Sequence, residues 1–442
     1  MSQRININQE LIFIILQYFL KMISDYSKDW INIIKFRLEK ILKDNIISFW
    51  YPNVIDYEFG GYNLSYDIGN KSISNGPKMI VSQARMLWFF SKIYKVKFKN
   101  KRFLRAADHG FTFLKEVMWD KKYGGFFWEL DPTTKILKPK KHLYGQAFAL
   151  IALLEYSKVC INDEPLKLAK KLFIILEKNA HDIDNNGYLE YFNQDWSIPP
   201  KDEIGYLGFN HDAKLLNTHI HILEALNYYY RATEDTLAKE RLIEMMFILS
   251  NTIIDKKSGT CIENFTLDWI PLKIKENERR VYFGHNIKIS SVIYTSCKTL
   301  NLSNKIFLDF LTHLFSPLIK YGFDSKRGGF YDSGKVFQSA DHLNKIWWVQ
   351  AEGLISLLIM YEITNDEKYL EYFIRTLNWI ENYQIDWDNG EWFNEITPKG
   401  NPIGPKVNIW KAGYHTTKAI LEVLNLKLFH EKDKAMHYIK NK

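Results

Sequence analysis

A turn built from glycine followed by an aromatic or strand-forming residue recurs six times in this chain, and it limits the possible folds more than any other feature. It appears as Gly60-Gly61-Tyr62, Gly124-Gly125-Phe126-Phe127-Trp128, Gly187-Tyr188-Leu189-Glu190-Tyr191, Gly259-Thr260-Cys261-Ile262-Glu263, Gly328-Gly329-Phe330-Tyr331 and Gly390-Glu391-Trp392-Phe393. Successive glycines lie 64, 63, 72, 69 and 62 residues apart. Each turn leads into a short alternating stretch and then a polar turn such as Asp131-Pro132-Thr133-Thr134 or Thr397-Pro398-Lys399-Gly400. That pattern is a small β-hairpin, with glycine supplying the positive φ its bends need.

Between hairpins there is room for two helices. Apolar residues recur at i, i+3, i+4 and i+7 through 27–49, 78–96, 100–119, 142–161, 163–182, 211–235, 236–255, 283–300, 303–320, 341–363, 367–386 and 409–429. A repeat near 65 residues cannot hide its apolar face alone, so neighbours must stack, and six pairs without separate caps most simply close on themselves. The predicted fold is all-α, an (α/α)6 toroid of six helix pairs with short β-hairpins over one mouth. The member following each hairpin has the more aromatic, less charged face and is assigned to an inner ring, whose N-terminal ends surround a ligand cleft. Residues 27–442 form this single domain and 1–26 an N-terminal helical extension.

Composition removes other classes. The chain has 442 residues, 59 Lys+Arg against 51 Asp+Glu for a formal charge of +8, and 46% hydrophobic residues, as in a folded soluble protein. The positive excess is scattered, with no zinc-finger or RNA-recognition signature, so no nucleic-acid partner is expected. Its one concentration, Lys135, Lys138, Lys140 and Lys141, reads as a lysine-rich surface loop. Cys160, Cys261 and Cys297 are too widely spaced for a disulfide framework, and a reducing cytoplasm is the natural compartment. The apolar run from Leu11 to Leu20 is too short for a bilayer core and lacks a small-residue cleavage site. It is read as a packing helix rather than a membrane span, with an uncleaved anchor as the alternative.

The early turns of the inner helices carry Arg85, Tyr144, Gln146, Asn217, His221, His285, Trp348, Glu352, Trp410 and His415. One histidine on a mixed helix face is more often a hydrogen-bonded core residue, and a Trp pair is more often packing. Here the shared offset from the hairpins, about 20 to 34 residues, favours a common site. Three histidines near helix N-termini suit proton transfer beside a developing oxyanion, and tryptophan faces suit the apolar side of a sugar ring. His219 and His221 at i and i+2 do not face each other, so no metal is predicted. Asn217, His221 and Glu224 share one face, where Glu224 can orient His221; His219 points elsewhere.

Asn217-Thr218-His219-Ile220-His221-Ile222-Leu223-Glu224, Phe283-Gly284-His285-Asn286-Ile287, Trp347-Trp348-Val349-Gln350-Ala351-Glu352 and Trp410-Lys411-Ala412-Gly413-Tyr414-His415 occur in an order and spacing that resemble the N-acylglucosamine 2-epimerase superfamily. That superfamily includes cellobiose 2-epimerases and mannose-type aldose–ketose isomerases. Gln83-Ala84-Arg85 and the Tyr123–Trp128 hairpin are similar too, and the resemblance covers roughly residues 57 to 425. It implies the (α/α)6 barrel, a small-molecule carbohydrate as partner and no cofactor. It also implies His285 and His415 as acid/base pair, His221 as a third site histidine, and Arg85, Trp348, Glu352 and Trp410 as substrate contacts, beside Tyr144 and Asn217. The reaction implied is ring opening, removal of the C2 proton and its return to C2 or C1.

One position departs from the resemblance. Where the family pattern has glutamate three residues after the histidine, this chain has Lys288, and Ser291 replaces a frequent tryptophan. A lysine at i+3 is expected to lower the pKa of His285 and weaken it as a proton shuttle, unless Lys288 turns away or itself contacts the intermediate. Three readings therefore stand: a C2 epimerase or isomerase; a glycoside hydrolase, for which Glu352 is the one good carboxylate where two are needed; and a catalytically weakened sugar-binding protein.

Overall fold

A computed structural model describes residues 29–69, 76–272, 275 and 278–429. The extension expected at 1–26 lies outside them. Among the described residues there are twelve helices of ten residues or more: α1 Asp29–Lys40, α2 Ile80–Ile93, α3 Lys101–Phe113, α4 Leu143–Tyr156, α5 Glu164–Asn179, α6 Leu216–Thr233, α7 Thr236–Asn251, α8 Phe283–Thr299, α9 Leu308–Pro317, α10 Trp347–Thr364, α11 Glu367–Trp379 and α12 Tyr414–Leu424. The protein is mostly α. None of these helices is long and apolar enough to cross a membrane.

The even-numbered helices are the buried ones. All of α4 is buried, whereas α3 buries one face through Phe103, Ala106, Ala107, Gly110, Phe111 and Phe113. Each even helix packs on the next, α2 on α4, α4 on α6, α6 on α8, α8 on α10 and α10 on α12, and α12 packs back on α2. The short strand before each even helix pairs with the following hairpin: Lys78–Met79 with Glu129–Leu130, Lys141–His142 with Tyr191–Phe192, Ala213–Leu215 with Asn264–Thr266, Arg280–Tyr282 with Ser333–Lys335, and Lys345–Ile346 with Glu395–Ile396. The sixth segment bridges at Val407 to Tyr66, just after the first hairpin. These strands explain why α6 and α10 start later than the apolar period predicts, since the residues just ahead of them are strand; ahead of α12 the chain instead turns at Asn408.

The hairpins are held by charges that the apolar pattern does not reveal. Each begins with an aspartate four residues before the first positive-φ position, at Asp56, Asp120, Asp182, Asp255, Asp324 and Asp386. One carboxylate oxygen accepts backbone N–H groups of the turn, as Asp324 does from Lys326 and Arg327 at 3.0 Å each. The other meets a buried lysine just before the inner helix: Asp56–Lys78 at 2.6 Å, Asp120–Lys141 at 2.9 Å, Asp182–Lys214 at 2.7 Å, Asp324–Lys345 at 2.8 Å, and Asp386–Lys406. In the fourth repeat Arg279 takes the lysine's part, 2.7 Å from Asp255. Lys141 therefore belongs to the core. Lys138 and Lys140 pair with Glu129 and Glu203, so the predicted lysine-rich surface loop is instead largely a set of ion pairs.

A polar side chain from the inner helix completes the clamp in five of the six repeats. Gln83 accepts from the Tyr62 N–H and donates to its carbonyl, and Gln146 and Gln350 do the same for Phe126 and Phe330. Gly329, at φ +81°, fits because a Cβ there would lie 2.7 Å from Gln350 Oε1. Removing one partner of such a pair leaves a buried charge unmatched. Asp324→Ala should lower the unfolding free energy by about 3–5 kcal/mol, read by chemical denaturation. A loss within 0.5 kcal/mol, the range of an ordinary surface change, would contradict this account.

Candidate active site

The predicted residues converge because each sits in the early turns of an inner helix beside the hairpins. Arg85 is on α2, Tyr144 on α4, Asn217 and His221 on α6, His285 on α8, Trp348 and Glu352 on α10, and His415 on α12. Trp410 lies ahead of α12, in a turn whose N–H groups at Trp410 and Lys411 bond to Asn408 Oδ1, and not on the helix as its spacing predicts. Gln146 and His219 are outside the site. The first clamps the second hairpin, and His219 Nε2 accepts from the Tyr188 N–H of the third.

Every site imidazole is aimed by a carboxylate. His221 Nδ1–H donates to Glu224 Oε2 at 3.1 Å, His415 Nδ1–H to Glu352 Oε1 at 2.9 Å, and His285 Nδ1–H to Glu263 Oε2 at 2.8 Å. An ionised carboxylate can only accept, which fixes the proton on Nδ1 and leaves Nε2 for a ligand. The rings share neighbours: Trp348 lies 5.6 Å from His285 and 6.0 Å from His415, and Tyr144 lies 5.0 Å from His221 and 6.1 Å from Trp410. Arg85 stacks on Phe148 at 4.2 Å, bonds to the Tyr144 hydroxyl at 3.1 Å and donates to the Trp410 carbonyl. Its Nε is buried and has no hydrogen-bond partner among the described residues.

The electrostatics separate the histidines. Burial pulls His221 down to about 4, against Glu224 and with help from the Lys288 and Arg85 charges. Burial and the same two cations lower His415 as well, despite Glu352. His285 is also buried, but the Glu263 carboxylate outweighs that and raises it above its usual value, with Asp332 adding to the effect. The expectation that Lys288 lowers His285 is thus corrected. Lys288 points into the protein, 3.2 Å from Glu224 and 3.0 Å from Glu352, and acts on the other two histidines. Both carboxylates are held well below the usual range, burial notwithstanding, by Lys288 and Lys418.

Glu263, Lys418 and Tyr414 were not among the residues singled out. Tyr414 donates to Glu224 Oε1 at 2.8 Å, and Lys418 lies 3.4 Å from Glu224 and 3.5 Å from Glu352. The repeat carries a signal for Glu263: four residues past the first positive-φ position of each hairpin stand Leu64, Trp128, Glu190, Glu263, Asp332 and Asn394. At the matching position Glu190 is protonated more readily, pushed up to about 8 by burial, and accepts from the Leu215 N–H instead of a site histidine. Among the described residues, no three His, Cys, Asp or Glu side chains are grouped to hold a metal ion.

Known proteins are similar to this chain over most of its length. The cellobiose 2-epimerase of Dictyoglomus turgidum is 29% identical over 400 residues, 89% of this chain and 99% of that protein, and the D-mannose isomerase of Marinomonas mediterranea is 24% identical over 86% and 95%. The solved cellobiose 2-epimerase of Spirochaeta thermophila superposes with a TM-score of 0.80 at 30% identity, covering 90% of this chain and 98% of that one. The family model for N-acylglucosamine 2-epimerase (GlcNAc 2-epimerase) matches residues 60–419. The chain belongs to the N-acylglucosamine 2-epimerase family, among enzymes that are carbohydrate epimerases and isomerases.

Proposed function

We propose that the protein moves the proton at C2 of a ring-opened aldose, as a sugar 2-epimerase or isomerase, with His415 as base and His285 as acid in the mouth of a closed (α/α)6 toroid. The cyclic packing that returns α12 to α2, and the Val407–Tyr66 bridge, support the toroid. The observation that carries the chemistry is that two carboxylate-aimed imidazoles share the Trp348 indole yet sit in opposite electrostatic settings. Three unpaired thiols, Cys160, Cys261 and Cys297, suit a reducing compartment, and we assign the cytoplasm on that ground.

Neutral His415 Nε2 takes the C2 proton, and the C–H electron pair becomes an enediolate. The Arg85 guanidinium lies close enough to lower both His415 and His221, so it supplies positive charge where this anion develops. The His285 imidazolium then gives a proton to the other face of C2, forming the 2-epimer, or to C1, forming a ketose. After turnover the two rings have exchanged charge, and the reverse reaction uses them in swapped roles. Trp348, Trp410, Tyr144 and Asn217 are the sugar-holding surfaces. Cellobiose and mannose are the first substrates to try, because the relatives are named for them.

A hydrolase reading lacks its acid. Glu224 and Glu352 are both tied to lysines and held ionised, and a glycosidase needs one carboxyl that keeps its proton. The weakened-binder reading rests on Lys288 and Ser291; Lys288 meets Glu224 and Glu352 rather than His285, and the Ser291 hydroxyl donates to the Lys288 carbonyl on its own helix.

In D2O, proton NMR should show loss of the C2–H signal of an accepted aldose. His285→Ala and His415→Ala should each slow that exchange by at least roughly 10²-fold, with an unchanged circular dichroism spectrum. Arg85→Ala should raise KM and lower kcat. Glycan cleavage without exchange would favour the hydrolase, and saturable binding with neither would favour the binding protein.

The His285 ring offers a second check. Its folded pKa is raised, so the imidazolium is fully present below about 6.5 and is lost as pH rises through the higher value. Glu263→Gln removes the raising charge and leaves burial, so the ring should titrate below about 6.5 by histidine NMR, and the alkaline limb of kcat/KM should move to lower pH with it. An unmoved titration would show that Glu263 does not govern His285.

A further inference from the structure

Beneath the imidazoles lies a cage of four buried charges from four helices. Glu224 of α6 and Glu352 of α10 are bridged by Lys288 of α8, at 3.2 and 3.0 Å, and again by Lys418 of α12, at 3.4 and 3.5 Å. Each of the four is at most 5% exposed. Two carboxylates face two ammonium groups, so the cage is neutral within itself, with Glu422 adding a half-exposed carboxylate 3.4 Å from Lys418. Each cage carboxylate also holds one histidine, Glu224 holding His221 and Glu352 holding His415.

Glu263, which aims His285, is outside the cage. Its Oε2 bonds to His285, and its Oε1 has no hydrogen-bond partner among the described residues. Among the described residues, two histidines are therefore aimed by carboxylates already matched to lysines, and one by a carboxylate with no such match. We propose that Lys288 is a positioning residue that fixes this difference: by binding Glu224 and Glu352 together, it leaves Glu352 to aim His415 as a neutral base, while the unmatched Glu263 leaves His285 as the acid. This rests on the proton-transfer reading given above and adds to it what keeps the two tasks apart.

Titratable and charged groups face His415 from six helices. Arg85 comes from α2, Tyr144 from α4, His221 and Glu224 from α6, Lys288 from α8, Glu352 from α10, and Tyr414 and Lys418 from its own helix. Three cations stand against two carboxylates in this set. Deleting one cation leaves the charges balanced by number, with Glu352 losing its 3.0 Å partner and strengthening its hold on a protonated His415. Lys288 touches no atom of the reacting sugar in this scheme; it acts through Glu352.

The test is the titration of the His415 ring by histidine NMR on the full chain without substrate, together with the pH profile of C2 exchange. In Lys288→Met the His415 ring should titrate roughly one to three units higher than in the parent. The acid limb of exchange should then move to higher pH by the same amount, since a base must be unprotonated to act. Lys288→Arg, which keeps the cation, should restore the parent profile. Should Lys288→Met not fold, Lys288→Gln is read in the same way. An unmoved His415 titration, or a loss of activity equal at all pH values, would overturn the proposal. If the parent exchanges no C2 proton in any aldose, the proton-transfer reading fails, and the ring titration still decides whether Lys288 governs His415.

Discussion

A buried aspartate–lysine pair at the root of five hairpins, with an aspartate–arginine pair at the other, is what the rest of the molecule is built on. The aspartate closes the turn through backbone N–H groups, and the lysine fastens that turn to the segment leading into an inner helix. An ion pair taken out of water does little for stability by itself, but its geometry is exacting, and losing either partner is severe. Repeated around the chain, it sets where each inner helix starts and therefore which side chains reach the mouth. Arg279 shows the constraint is on charge and reach: it lies outside the lysine register and still finds Asp255.

The site uses the same device for chemistry. Histidine carboxylate pairs are common ways to orient a ring, but a carboxylate also favours the imidazolium, and so fixes more than direction. Here orientation and charge are uncoupled at His221 and His415, because Lys288 and Lys418 compete for the carboxylates that aim them. At His285 they stay coupled through Glu263. Three similar-looking pairs thus yield two kinds of group, and burial amplifies the difference because a low-dielectric interior weakens every charge that lacks a partner.

The repeat, the twelve helices and the burial of alternate helices were legible in the chain because they rest on periodicities of 3.6 and of about 65 residues, which survive being read one position at a time. Most candidate site residues were legible for the same reason, as equivalents in the repeat. Trp410 was placed on a helix because an apolar period does not register an Asx turn at Asn408. Lys141 was placed on the surface because nothing local distinguishes a lysine that meets Asp120, 21 residues earlier, from one in water. Lys288 was set against His285, its neighbour at i+3, because helical spacing is the only proximity a linear reading can measure.

Local chemistry and period alone settle that this chain forms twelve long helices, that its hairpin glycines take positive φ, and which polar groups fall in the early turns of most of the buried helices. They do not settle charge. Whether Lys288 depresses one histidine or another, and whether Glu263 holds His285, depends on distances of 2.8 to 3.2 Å between helices and hairpins more than twenty residues apart. Coulomb interactions in a dry interior act across space, and the folded chain alone sets those separations.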